Sequence, residues 1–271
     1  MDLQLKGKRA LVTGSTAGIG AEIARVLARE GVIVAVNGRN EKRGRQVVEQ
    51  IREEGGQAIL AMGNVAEAEG GEQAACVVEA ELGQIDILVN NAAGFAASSS
   101  LSTALTVPPE LWGRTTDLNV GAAVRMTQRF IGPMREQGWG RLIHIASHGA
   151  THPSGETADY AAAKAALLNF SLAVAKELAG TGITSNSVSP GMVLTRSLEA
   201  WFKAIGKREG WGDDLAKTEA WVLKNYATQL VSRIGRVSDI ADLVAYVASP
   251  RSDFMNGTNL HIDGGASPGM N

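Results

Sequence analysis

Short apolar or β-branched runs alternate along this chain with longer stretches whose apolar residues recur at helical spacing. Arg9–Thr13, Val32–Asn37, Ala58–Met62, Ile85–Asn90, Gly140–Ala146, Ile183–Val188 and Asn259–Ile262 read as strands. Gly18–Glu30, Glu41–Glu54, Glu67–Leu82, Pro108–Gln137, Thr157–Gly180 and Ser238–Ala248 read as helices, with Ser238 placed to cap the last of them ahead of Asp239 and Ile240. Seven strands with helices between them predict an α/β fold built on a doubly wound parallel sheet. In such a sheet the ligand site lies beyond the carboxyl ends of the strands, where the connections change direction. The alternation breaks at 196–235, a long insertion carrying Trp201, Phe202, Trp211, Trp221 and Tyr226. Aromatics most often serve packing, so this insertion reads either as a helical hairpin on the core or a partner, or as a cover over a site.

Length and composition narrow the picture. A chain of 271 residues with no linker tract, repeat or composition shift reads as one domain spanning 1–271 with a sizeable core. Ser98-Ser99-Ser100 reads as a short polar loop. With 26 Lys+Arg against 28 Asp+Glu the formal net charge is -2, which gives no electrostatic footprint for nucleic acid or an anionic membrane. The first residues lack a basic region followed by an apolar core, and no apolar run reaches bilayer-spanning length, so the expected location is the cytoplasm. Cys76 falls in a helical pattern and is expected to be a buried structural thiol. His144, His148, His152 and His261 do not combine with it into a metal-site spacing, and no metal is expected.

Two local patterns carry chemistry. Ala10-Leu11-Val12 leads into Thr13-Gly14-Ser15-Thr16-Ala17-Gly18-Ile19-Gly20 and then a helical pattern. A GxxxGxG turn between strand and helix permits close backbone approach to a diphosphate, which the free N–H groups and positive end of the helix attract. The other is Tyr160 and Lys164, four residues apart in an alanine-rich stretch and so on one helix face. An ammonium beside a phenol favours the phenolate and lowers its pKa toward a range useful for proton exchange. The same spacing also suits an ordinary helix face.

Together these residues resemble the short, single-domain group of the short-chain dehydrogenase/reductase family, similar to 3-oxoacyl-carrier-protein reductase-like oxidoreductases. The resemblance runs nearly the whole chain. It is met further by Asn90-Asn91-Ala92-Ala93-Gly94, Asn119 in Leu-Asn-Val, Ser147 thirteen residues before Tyr160, Pro190-Gly191 with Thr195, and Asp263-Gly264-Gly265. It implies a Rossmann-type, seven-stranded sheet and an NAD(P)(H)-dependent interconversion of a ketone and a secondary alcohol. Tyr160 is then the general acid/base, Ser147 holds the substrate oxygen, Lys164 lowers the Tyr160 pKa and binds the nicotinamide ribose, and Asn119 supports a water-linked proton relay. The implied cofactor contacts are Gly14, Ser15, Thr16, Gly18, Ile19, Gly20, Arg39, Asn64, Val65, Asn91, Ala92, Gly94, Tyr160, Lys164, Pro190, Gly191, Val193 and Thr195, the last reaching the nicotinamide carboxamide. The insertion at 196–235 becomes a substrate lid, and the assembly a homotetramer joined through the helices around Pro108–Gln137 and Thr157–Gly180.

Departures from the family pattern bear on cofactor choice. Gly38 stands where an acid usually holds the NAD ribose, and Arg39 follows it, which favours NADP. Ala17 takes the place of a second basic residue, and Asn64 that of an Asp facing the adenine. The expected substrate is a small ketone or alcohol held by variable residues: Phe95, His148, Met192 and the insertion's aromatics. Competing functions are an NAD-dependent alcohol dehydrogenase, a cofactor-binding sensor or scaffold without catalysis, and a structural subunit. The last two would be marked by loss of Tyr160 or Lys164, or by a damaged glycine loop, and all are intact.

Overall fold

The expected strands are present and hydrogen-bond into one parallel sheet of order β3-β2-β1-β4-β5-β6-β7. They are β1 (Arg9–Val12), β2 (Ile33–Gly38), β3 (Gln57–Met62), β4 (Ile87–Asn90), β5 (Gly140–Ile145), β6 (Ile183–Pro190) and β7 (Asn259–Ile262). This computed structural model describes residues 1–95 and 103–267; Ser98-Ser99-Ser100 lie outside the described residues. Chain order reverses between β1 and β4, where Ala10, Leu11 and Val12 pair with Ile87, Leu88 and Val89. That is the switch point of a doubly wound, Rossmann-type sheet.

Helices cover both faces, which is why the central strands are apolar without alternation. On one face α1 (Gly18–Arg29), α2 (Glu41–Glu53) and α9 (Val237–Ala248) bury Ile23, Leu27, Val47, Ile51, Ile240 and Val244 against Val12, Val34 and Val36. On the other, α3 (Ala68–Leu82), α5 (Ala122–Gln137) and α6 (Ala158–Glu177) cover the sheet, with Val78, Met126, Phe130 and Met134 packed on Leu11, Leu88 and Leu142. The insertion folds as α7 (Arg196–Arg208) and α8 (Leu215–Asn225) around its own small core of Phe202, Ile205, Val222 and Ile234.

Three expectations are corrected. The stretch Pro108–Gln137 is not one regular helix: α4 (Pro109–Thr116) passes through a π turn at Asp117–Gly121 before α5 begins. The Asn119 side chain donates to the carbonyl of Thr115, one turn back, and such side-chain competition for a helix carbonyl accompanies the local widening. Ser238 does not cap α9; it sits inside the first turn, and the Asp239 carboxylate accepts from the Arg236 N–H at 2.7 Å instead. Cys76 is exposed, because α3 turns Ala74, Ala75 and Val78 to the sheet and leaves Cys76 on the outer side near Glu72.

Candidate active site

At the switch point, side chains knit the carboxyl ends of four strands together. Thr13 Oγ1 accepts from the N–H groups of Asn91 and Ala92, each at 3.0 Å, and Asn91 Nδ2 donates to the carbonyls of Thr13 and Gly14. Ser15, fully buried, donates to the Val12 carbonyl at 2.6 Å and accepts from the Asn37 N–H, while Asn37 Nδ2 reaches the Ala61 and Gly63 carbonyls. Ser15 and Asn91 therefore shape the cradle with their side chains turned inward. Asn37, and the hydroxyl role of Thr13, were not picked out as site features from the sequence; a polar residue closing an apolar strand is the signal that marks both.

The glycine loop fits a diphosphate. Gly14 has φ +64, which favours glycine, and a Cβ at Gly20 would collide with Asn91 Nδ2. Ala17 provides no side-chain cap to α1, so the helix opens with free N–H groups at Gly18 and Ile19. Beside the loop lies a cavity of about 230 Å³ whose lining includes Thr16, Gly38, Arg39, Asn64, Val65 and Ala92. Asn64 donates to Glu67 at 2.6 Å, so its amide is already oriented by the chain. Arg39 is exposed, and the outer recess it borders is also lined by Glu41, Glu67 and Glu69.

The reacting groups converge from α6, β5 and the π turn. Ser147 follows β5 and its Oγ accepts from the Gly149 N–H at 3.1 Å, which holds it beside Tyr160, whose pKa it lowers. Lys164, one turn beyond Tyr160, is 1% exposed; its Nζ donates to the Ile145 carbonyl at 2.7 Å and stands 5.5 Å from the Tyr160 ring centre. Asn119 Nδ2 donates to the Gly94 and Thr115 carbonyls, each at 2.8 Å. Phe95 packs against Tyr160 with ring centres 4.5 Å apart.

The electrostatics differ from the expectation for the pair. Tyr160 keeps some exposed surface, yet its hydroxyl end is enclosed; burial pushes its pKa up to about 12, against a smaller lowering by Ser147. Burial draws Lys164 down to about 7. In this structure desolvation outweighs the attraction between the two groups, because the ammonium is directed at a main-chain carbonyl and lies over the ring rather than at the hydroxyl.

The opposite wall comes from the end of β6. Pro190 closes the strand, Gly191 N–H donates to the Ile262 carbonyl, and Val193 pairs with Gly235 at the root of the insertion. Thr195 caps α7 through Oγ1, and its methyl faces Gly18, with a Cβ on that glycine 3.8 Å away. The insertion's aromatics pack on one another: Trp201 and Trp221 on Tyr226, and Trp211 on Trp221. His148 turns to Asp263 and Ser267. Among the described residues no group of three His, Cys, Asp or Glu side chains is placed to hold a metal ion, and no helix is long and apolar enough to cross a membrane.

Comparison with known proteins agrees with this arrangement. A family model described as short chain dehydrogenase matches residues 8–206. The uncharacterized oxidoreductase YvaG of Bacillus subtilis (strain 168) is 36% identical over 268 residues, 98% of each chain. The 3-oxoacyl-[acyl-carrier-protein] reductase FabG of Escherichia coli (strain K12) is 33% identical over 263 residues, covering 97% of this chain and 98% of its own. L-sorbose reductase from Gluconobacter frateurii, solved with NADPH and L-sorbose, superposes with a TM-score of 0.92 at 30% identity over 100% of both chains.

Proposed function

Since this chain belongs to the short-chain dehydrogenase family, we propose that it is an NADP(H)-dependent oxidoreductase interconverting a ketone and a secondary alcohol, with Tyr160 as general acid/base. The observation that carries this is Tyr160 beside Ser147, with buried Lys164 over its ring, beyond the same strand ends as the glycine loop. The bound nicotinamide supplies or accepts the hydride. In reduction Ser147 holds the carbonyl oxygen and Tyr160 gives it a proton; in oxidation the phenolate takes the proton back. Gly14, Thr16 and the opening of α1 hold the diphosphate, Arg39 the adenosine end, and Thr195 the nicotinamide side. Asn119, its amide N–H groups engaged by main-chain carbonyls, steadies the turn behind Lys164 and offers its Oδ1 to a relay.

The helices α7 and α8 form the substrate lid in this reading. L-sorbose reductase spans the full chain at 30% identity, and this favours a small polar ketone, with polyhydroxylated ketones first. The glutamates around Arg39 favour a second reading, an NAD-dependent alcohol dehydrogenase, since carboxylates beside a phosphate repel it. A panel of sugar ketones, β-ketoacyl thioesters and simple ketones, each followed by loss of NADPH or NADH absorbance, tests both. Turnover with NADPH above NADH supports the first reading and the reverse order the second. Tight cofactor binding with no turnover on any member would make the protein a sensor or scaffold.

A further inference from the structure

Asp263, in the turn after β7, is a buried carboxylate for which the catalytic reading has no use. It is 8% exposed. Its Oδ1 accepts from the Gly265 N–H at 2.9 Å, and its Oδ2 accepts from the Ser267 N–H at 3.0 Å and Ser267 Oγ at 2.6 Å. The same Oδ2 lies 3.4 Å from His148 Nδ1, and Ser267 Oγ lies 3.3 Å from that nitrogen and 3.2 Å from His261 Nδ1. His152 stacks on the His148 ring at 4.9 Å. Burial pushes this carboxyl up, but the donors from Ser267, Gly265 and His148 together outweigh it and hold it at about 2.

The turn engages both carboxylate oxygens, and Oδ2 in addition faces His148, the residue after Ser147. His148 opens the short helical turn His148–Ala150, whose Gly149 N–H orients Ser147 Oγ toward Tyr160. On its other side Asp263 abuts the wall at the end of β6: a Cβ on Gly191 would lie 2.7 Å from Asp263 Cα. One residue thus faces both walls of the site, with its carboxylate toward His148 and its backbone toward Gly191. We propose that Asp263 is a positioning residue that fixes Ser147 relative to Tyr160 through His148, while its backbone braces the Gly191 loop. This rests on the reading of Ser147 and Tyr160 as the reacting pair.

The test is a double-mutant cycle between Asp263→Asn and Ser147→Ala, with His148→Gln as a variant that cuts the link without altering the turn. In the otherwise native enzyme both Asp263→Asn and His148→Gln should lower kcat for the best ketone of the panel by about tenfold or more, the scale of a lost hydrogen bond to a charged group, and move NADPH affinity much less. In the Ser147→Ala background the same substitutions should change kcat by less than about twofold, since coupled sites do not add. Amide exchange over 147–152 should quicken about tenfold in Asp263→Asn while β1 and β4 keep their protection. Losses that multiply in both backgrounds, a native kcat in His148→Gln, or unchanged exchange over 147–152 would each overturn the proposal. If the unaltered protein reduces no ketone, the parent reading fails and the exchange measurement alone decides the tether.

Discussion

A phenol pushed up to about 12 is protonated at any ordinary pH, which makes Tyr160 a ready acid and a reluctant base. Ketone reduction should therefore be nearly flat with pH as far as Tyr160 is concerned. Alcohol oxidation needs the phenolate, whose fraction rises about tenfold per pH unit below the pKa, so its rate should climb with pH. Tyr160→Phe keeps the ring against Phe95 but deletes the proton; turnover should fall by about 10²–10⁴-fold with NADPH affinity nearly unchanged. Near-native turnover in steady-state assays would remove Tyr160 from the chemistry. At the other end of the site, Arg39→Ala should weaken NADPH binding by about tenfold and leave NADH alone, as titration calorimetry would read directly. Gly38→Asp has a steric side that the sequence did not show. A Cβ there would lie 2.6 Å from Thr16 Cγ2, so the single variant should lose affinity for both cofactors. Paired with Thr16→Ala, which removes that methyl, it should favour NADH over NADPH.

Between elements, a buried polar chain ties four pieces of the fold together. Asn90 Nδ2 on β4 lies 3.3 Å from His144 Nδ1 on β5, His144 Nε2 lies 3.3 Å from Ser185 Oγ on β6, and Ser185 Oγ donates to the Ser171 carbonyl on α6. Burial, with a smaller contribution from Lys164, draws His144 down to about 3. Between about 3 and its model-peptide value of 6.5, the unfolded chain binds a proton that the folded chain refuses, so stability must fall as pH falls through that window, with a slope of up to about 1.4 kcal/mol per pH unit. His144→Gln should flatten the profile of urea midpoints there, even if it lowers stability at neutral pH; an unaltered acid slope would mean that His144 titrates normally. The histidine's type was legible in the sequence, but its partners come from strands far apart in the chain. The same contrast holds elsewhere. Strands such as Ala10-Leu11-Val12 were readable because burial on both faces leaves no polar position, and Tyr160 and Lys164 because helical spacing fixes their common face. Spacing gives no direction, however: Ser15 and Asn91 stand in the expected motif yet point into the scaffold, and Asn119 opens a π turn that apolar periodicity does not register.

The whole molecule leaves one helix too apolar for a monomer's surface. Along α6 the inward positions Ala161, Lys164, Leu167 and Ser171 are buried, yet apart from Asn169 the outward row Ala162, Ala165, Ala166, Leu172 and Ala173 is small or apolar too, with Leu172 40% exposed. The neighbouring outer surface carries Gly113 on α4 and Gly132 on α5, where an added Cβ would meet nothing within 4 Å. Small side chains on both surfaces allow helices of two subunits to approach closely, and closed symmetric assemblies reuse one such patch on every copy. The protein should accordingly self-associate through α4, α5 and α6, and the family resemblance makes the expected assembly a homotetramer. The helices α7 and α8 do not provide an internal cover, because Phe202, Ile205 and Val222 close on their own core and on the wall at Met192 and Leu194. Ala166→Arg places a long charged side chain on the outward row without touching the buried face that carries Lys164. Sedimentation at micromolar concentration should then show the native chain as a species of about four times 28.4 kDa, and the variant as a smaller one that still binds NADPH. An active native species at the single-chain mass would sink the assembly, whereas a variant that keeps the native size would move the contact to another face.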